Sequence, residues 1–188
     1  DDDLLFIKNN INIPINLEIA PTLEMINIAI SLNPYSICLV PEKREELTTE
    51  GGLDINSNFK GLSLLSDKIS NTDINLACFI DPDIKQINSV KDLGINTIEF
   101  HTGQYASSNE KNRDLYYNKL KQAIEYASNI GIKCHAGHGL NFENVSKIAS
   151  IQNIQELNIG HFLIGESIFY GLEYVIKKMK ELIYVARK

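Results

Sequence analysis

Six times along this chain of 188 residues, a short apolar run is followed by a stretch with helical spacing. That alternation constrains the fold more than any other feature, because strand–helix–strand repeats build parallel sheets with right-handed crossovers. The predicted strands are Ile15 to Ile19, Ser36 to Val40, Asn75 to Ile80, Thr97 to Phe100, Lys133 to Ala136 and Glu156 to Ile159. Two of them, S-I-C-L-V and N-L-A-C-F-I, are almost continuously apolar, as strands are when helices cover the sheet. Helices are predicted at Thr22 to Leu32, Phe59 to Ser70, Asp83 to Leu93, Asn112 to Ile130, Glu143 to Ala149 and Leu172 to Arg187. Leu23, Ile26 and Ile30 form one face of the first, which Asn33-Pro34 stops. Asp81-Pro82 caps and starts the third, and Gly94 ends it. In the last helix the stripe Leu172, Val175, Ile176, Met179 and Leu182 reads as core. Six such units fit either a doubly wound open sheet or part of an eight-strand barrel. No G-x-G-x-x-G follows the first strand, which weighs against dinucleotide binding.

A composition of 44% hydrophobic and 22% charged residues is that of one globular domain spanning 1–188 with a sizeable core. The net charge of −6 and pI near 5.2 argue against a nucleic-acid surface, which needs a clustered basic face. They leave phosphorylated small molecules open, since backbone N–H groups bind anions on acidic proteins too. No apolar run has the length of a membrane span and no signal peptide is visible. Cys38, Cys78 and Cys134, odd in number, sit in apolar strands without a C-x-x-C pair and read as buried free thiols of a cytoplasmic protein.

The polar residues fall in a pattern. Glu18, Glu99, His101, His138 and His161 all lie at or just past the C-terminal ends of predicted strands. In barrels and open α/β sheets that end carries the ligand site. The stretch K-C-H-A-G-H-G-L-N (Lys133 to Asn141) reads as a strand that breaks at Gly137 and presents His138 between glycines. There an imidazole can move a proton beside a bound phosphate ester. Gly160-His161, one unit later, offers unpaired N–H groups and the positive end of a helix dipole, so the two turns together make a phosphate site. Glu99 alternates with Ile98 and Phe100, points inward, and at that depth needs a partner. Glu18, if half-buried, suits proton transfer. His101 reads as orienting a loop. The long polar segment Pro41 to Asp54 contains Thr48-Thr49-Glu50-Gly51-Gly52, which could grip a second oxyanion, and Lys43-Arg44, which reads as a solvated charge pair.

Taken together, N-L-E-I-A (Asn16 to Ala20), C-L-V-P-E-K-R-E-E-L-T-T-E-G-G-L-D (Cys38 to Asp54), F-I-D (Phe79 to Asp81), I-E-F-H-T-G (Ile98 to Gly103), A-G-H-G-L (Ala136 to Leu140) and E-L-N-I-G-H (Glu156 to His161) resemble one family. It is the pyridoxine 5′-phosphate synthases of the deoxyxylulose-dependent route to vitamin B6, and the motifs occur in family order along essentially the whole chain. The resemblance implies a (β/α)8 TIM barrel of which strands three to eight are present. It implies the condensation of 3-amino-2-oxopropyl phosphate with 1-deoxy-D-xylulose 5-phosphate to pyridoxine 5′-phosphate, phosphate and water, without metal or cofactor. Glu18 matches a proton acceptor, His138 the proton donor and Glu99 the residue that stabilises a transition state. Thr48 matches a contact to the deoxyxylulose phosphate; Gly139, Gly160 and His161 match contacts to the aminoketone phosphate. An octameric homo-oligomer is implied as well.

The family's N-I-D-H-type first strand and H-L-R-E-type second strand have no counterpart here, and His135 stands where asparagine is common. Two rival readings therefore remain at this point. One is a metal-dependent barrel hydrolase drawing on Glu18, Glu99, His101, His135, His138 and His161. The other is a truncated barrel that binds a phosphorylated ligand without turnover.

Overall fold

The computed structural model describes residues 2–41 and 51–188, so Thr48, with Lys43, Arg44, Thr49 and Glu50, lies outside the described residues. The chain divides into two compact units, Asp1–Glu99 and Phe100–Lys188.

The first unit runs α1 (Asp2–Asn10), β1 (Asn16–Ile19), α2 (Leu23–Leu32), β2 (Ser36–Leu39), α3 (Phe59–Ile69), β3 (Asn75–Ile80), α4 (Ile84–Asp92) and the start of β4 (Thr97–His101). Its strands are hydrogen-bonded neighbours in sequence order, and the β1–β2 and β2–β3 pairs are parallel, with Glu18 opposite Cys38 and Cys38 opposite Ala77. The alternation of strand and helix thus builds a parallel sheet, as expected. Ile26, Ile37, Leu39, Ile55, Leu62, Ile80, Ile87 and Ile98 form a core with no exposed surface. Each such side chain contributes roughly 1.5–3 kcal/mol of burial.

Local chemistry explains the element ends. Thr22 caps α2 by accepting from the Met25 N–H, and Asn33 closes it in the left-handed region at φ 49°. The buried face of α2 is Ile26, Ala29 and Leu32; Leu23, expected on that face, is at the first position of the helix and exposed. The cap of α4 is Asp83, not Asp81: its carboxylate accepts from the Lys85 and Gln86 N–H groups, so the Asp81-Pro82 pair stays in the preceding bend. Helix α1 was not foreseen, because it buries no residue and its polar and apolar positions show little segregation.

The end of the long polar loop is described from Gly51. Leu53 N–H donates to the Phe79 carbonyl at 2.7 Å, and a Cβ on Gly52 would come within 2.3 Å of the Asp81 nitrogen. Gly52 is therefore a point where two backbones touch. Gln86 clamps the next two residues of the loop: it donates to Asp54 at 2.8 Å and accepts from the Ile55 N–H at 2.8 Å.

The second unit begins with the end of β4 and continues α5 (Gly103–Ser107), α6 (Glu110–Asn129), β5 (Lys133–Gly137), α7 (Val145–Ala149), β6 (Ile154–Asn158), α8 (His161–Tyr170) and α9 (Leu172–Ala186). Strand β5 lies beside β4, and β6 pairs with β5 in parallel, Gly137 opposite Asn158. Asn109 caps α6, which begins at Glu110, two residues ahead of the predicted start. Strand β5 includes Gly137, so the chain breaks at His138 rather than at the glycine. Of the stripe assigned to the core in α9, only Val175 and Met179 are buried; Leu172 and Ile176 are exposed and Leu182 is half-buried. Among the described residues no helix is long and apolar enough to cross a membrane.

Candidate active site

In the first unit, the C-terminal ends of the strands gather two carboxylates around one thiol. Glu18 and Cys38 occupy matching positions of β1 and β2, so their side chains leave the same face of the sheet. The Cys38 thiol donates to Glu99 Oε2 at 3.7 Å, and both residues are buried. Burial, then the negative charges of Glu99 and Glu18, push the Cys38 thiol well above its ordinary pKa. The thiol is therefore a neutral donor, not a nucleophile. Glu99 points inward as expected and finds a partner there. Glu18 is exposed rather than half-buried, so the burial anticipated for it is not present.

In the second unit, the turn after β5 holds His138 under several independent constraints. Its backbone takes φ 81°, a left-handed conformation that non-glycine residues adopt at a cost of about 1–3 kcal/mol and that is often found at functional sites. Thr102, at the end of β4, offsets that cost. Its N–H donates to the Gly137 carbonyl at 2.9 Å, and its hydroxyl proton is shared between the carbonyls of Gly137, at 2.7 Å, and His138. Thr102 is 1% exposed, so water could not take the place of its hydroxyl at those carbonyls. Gly139 follows at φ 75°, and a Cβ there would lie 2.7 Å from the Ala106 methyl. Asn144 completes the turn: it accepts from the Asn141 N–H at 2.8 Å and donates to the Gly139 carbonyl at 3.1 Å, while Tyr105 donates to its carbonyl at 3.0 Å.

The half-buried imidazole of His138 meets the buried ring of His101 edge to face, centroids 4.9 Å apart. His101 is thus a neighbour of the proton-transfer candidate itself. His135, by contrast, lies on β5 with Nδ1 3.6 Å from Glu156, opposite it on β6.

Gly160 and His161 stand at the N-terminus of α8, where the first turn leaves N–H groups without intrahelical partners. A Cβ on Gly160 would meet no atom within 4 Å, and both residues are exposed, so the approach to these amides is open. The β5–α7 turn and the start of α8 are joined by the rings of Phe142 and Phe162, 4.8 Å apart and nearly perpendicular. The two glycine turns are therefore neighbours, as a shared anion site requires.

Three contributors were missed from sequence: Cys38, Thr102 and Asn144. The Thr in H-T-G and the Asn141/Asn144 spacing were visible signals, though what they bond to was not. Among the described residues, no group of three or more His, Cys, Asp or Glu is arranged to hold a metal ion.

Comparison with known proteins points the same way. Residues 1–185 match the family model of the pyridoxal phosphate biosynthesis protein PdxJ. The chain is 48% identical to the pyridoxine 5′-phosphate synthase of Sulfurihydrogenibium sp. (strain YO3AOP1), covering 100% of this chain and 79% of that protein. It is 48% identical to the synthase of Zymomonas mobilis, with 100% and 73% covered, and 46% identical to that of Ehrlichia canis, with 97% and 76% covered. Among solved structures it is similar in fold to an HpcH/HpaI aldolase from Desulfitobacterium hafniense, a TIM-barrel enzyme, with TM-score 0.52 and 15% identity over 91% of this chain and 71% of the other. It is also similar to citrate synthase SbnG, with TM-score 0.54 and 13% identity over 98% and 79%. The motifs, the parallel α/β sheet and these relatives agree, and the chain belongs to the pyridoxal phosphate biosynthesis protein PdxJ family.

Proposed function

We propose that this protein is a pyridoxine 5′-phosphate synthase, condensing 3-amino-2-oxopropyl phosphate with 1-deoxy-D-xylulose 5-phosphate. The observation that carries the reading is 48% identity over the whole chain to relatives bearing that name. Forming pyridoxine 5′-phosphate, inorganic phosphate and water from these substrates is redox-neutral, so the work is proton transfer and charge stabilisation. Schiff base formation, dehydrations and ring closure each need a proton given or taken.

Glu18 accepts protons, His138 donates them, and the buried carboxylate of Glu99 stabilises cationic character as it develops. Gly139, Gly160 and His161 hold the aminoketone phosphate through backbone amides at the two neighbouring glycine turns. Thr48, outside the described residues, contacts the deoxyxylulose phosphate. The finer fold reading is a (β/α)8 barrel whose strands three to eight are β1–β6, with the whole chain acting as one domain. The likeness to a TIM-barrel aldolase supports the barrel. A cytoplasmic homo-octamer is part of the same reading.

The test is direct. The purified full-length protein is incubated with both phosphorylated substrates, and pyridoxine 5′-phosphate and inorganic phosphate are measured together. Equimolar appearance of both products is expected; no pyridoxine 5′-phosphate above a protein-free control sinks the reading.

A further inference from the structure

We propose that Cys38 is a positioning residue for the synthase reaction, its S–H fixing the orientation of the Glu99 carboxylate through the gap left above Ala77. The inference rests on the functional reading above and adds to it a residue with no part in proton transfer.

The geometry is specific. Strand β3 lies between β2 and β4, and neighbouring strands are about 4.8 Å apart, so a bond from Cys38 to Glu99 must cross over a β3 side chain. The residue opposite Cys38 on β3 is Ala77, whose methyl is the smallest side chain that still fills the pleat. It leaves the 3.7 Å path from Sγ to Oε2 clear. A carboxylate on a flexible three-torsion side chain is useful to a developing charge only if it is held in one place. Cys38 is fully buried, so its thiol has no water to turn to. The titratable groups that act on it are Glu18 on β1 and Glu99 on β4, with Cys78 one position past Ala77 on β3. Two of these are carboxylates, and a neutral donor is the only kind of thiol that can sit beside both. A serine could replace the S–H; an alanine could not.

The experiment compares the parent synthase with Cys38→Ala, Cys38→Ser and Ala77→Val. For Cys38→Ala we expect kcat about tenfold lower with KM within about twofold, as for loss of a bond to a charged group. The carboxylate limb of its kcat profile should move toward neutral pH, because a carboxylate that loses a donor holds its charge less well. Cys38→Ser should recover to within about threefold of the parent. Ala77→Val should resemble Cys38→Ala although the thiol is still there. Circular dichroism establishes that each variant is folded. A readout independent of turnover is the S–H stretching band of Cys38, assigned by its loss in Cys38→Ser. It should rise in frequency in Glu99→Gln, where the acceptor is no longer charged. A Cys38→Ala enzyme with parental kcat and an unmoved limb overturns the proposal, and so does a serine variant as impaired as the alanine one. An S–H band indifferent to Glu99→Gln overturns the bond itself. A parent protein that makes no pyridoxine 5′-phosphate overturns the reading of the site, and with it the catalytic purpose of the pair, while the band still reports separately on the bond.

Discussion

The ring of His101 stands edge-on to that of His138 at an interplanar angle of 64°, and Gly103 is the floor on which both rest. A Cβ added at Gly103 would lie 2.4 Å from His101 Nε2 and 3.1 Å from His138 Cδ2. The buried ring of His101 cannot retreat by that much without moving its neighbours, His138 among them. Gly103→Ala is therefore expected to lower kcat by about 10- to 100-fold through misplacement of His138, while the protein stays folded. Parental turnover in this variant would mean that the ring pair has no bearing on catalysis.

Thr102 supports the same histidine from its backbone side. Replacing it with Val keeps the shape and removes the hydroxyl that bridges the Gly137 and His138 carbonyls. The expected cost is about 1–3 kcal/mol of stability, the usual penalty for a buried acceptor left without its donor. Turnover should fall in addition, because the left-handed turn at His138 loses the group that holds it. Thr102→Ser should restore both, as read from denaturant midpoints and kcat. A valine variant with an unchanged midpoint would show that the hydroxyl is dispensable.

For the two residues proposed to transfer protons, Glu18→Gln and His138→Asn should each leave the fold intact and lower turnover by about 10² or more. The two differ in setting, since Glu18 is exposed and His138 half-buried. A variant of either residue that kept near-parental turnover would strike it from the mechanism.

The alternation of short strand-like runs with helical spacing was enough to place six strands in order, because turn residues such as Gly, Pro and Asn stand close to most of the runs. The expected positions of Glu99 and His138 are met too, Glu99 within β4 and His138 just past the end of β5. What could not be read was which groups meet in space. Asp83 rather than Asp81 caps α4, because the choice depends on which carboxylate meets free N–H groups after the proline. Leu172 and Ile176 have helical spacing with Val175 and Met179 yet are exposed, since spacing defines a face without saying how much of it is covered. Cys38 looked like an inert core thiol; only the pairing of β2 with β3 reveals that Ala77 leaves it a path to Glu99. The resemblance named Thr48, which lies outside the described residues.

The thiols give a prediction on the alkaline side. Burial raises Cys78 from 9.0 to about 12 and Cys134 to about 11. Their ionisation is then easier in the unfolded chain, so folding stability is fully present below about pH 9 and is lost as pH rises toward 11–12. The melting temperature should decline over that range, and Cys78→Ala should flatten the decline. In native protein at pH 8 the three cysteines should react with a thiol reagent only slowly, and all three should react at once in denaturant. Rapid reaction of the native protein would contradict the burial described for them.

The acid side turns on His135. Its position on β5 half-buries the ring, and that burial lowers its pKa from 6.5; Glu156, 3.6 Å away, acts in the opposite direction but more weakly, and Lys133 adds to the lowering. A histidine held neutral in the folded state gains its proton more readily once the chain unfolds. The unfolded state therefore binds more protons as pH drops, and stability present above about pH 6.5 is lost as pH falls through the lower folded value. Asparagine has no such titration and still offers the Glu156 carboxylate a donor across the same strand pair. His135→Asn is expected to show a shallower fall in melting temperature between pH 7 and pH 5 than the parent, with little change at pH 8. Glu156→Gln should do the reverse, steepening the fall, because it removes the only one of these influences that favours the charged ring. If both variants track the parent from pH 8 to pH 5, His135 does not couple to folding and the exposed carboxylates alone set the acid limb of stability.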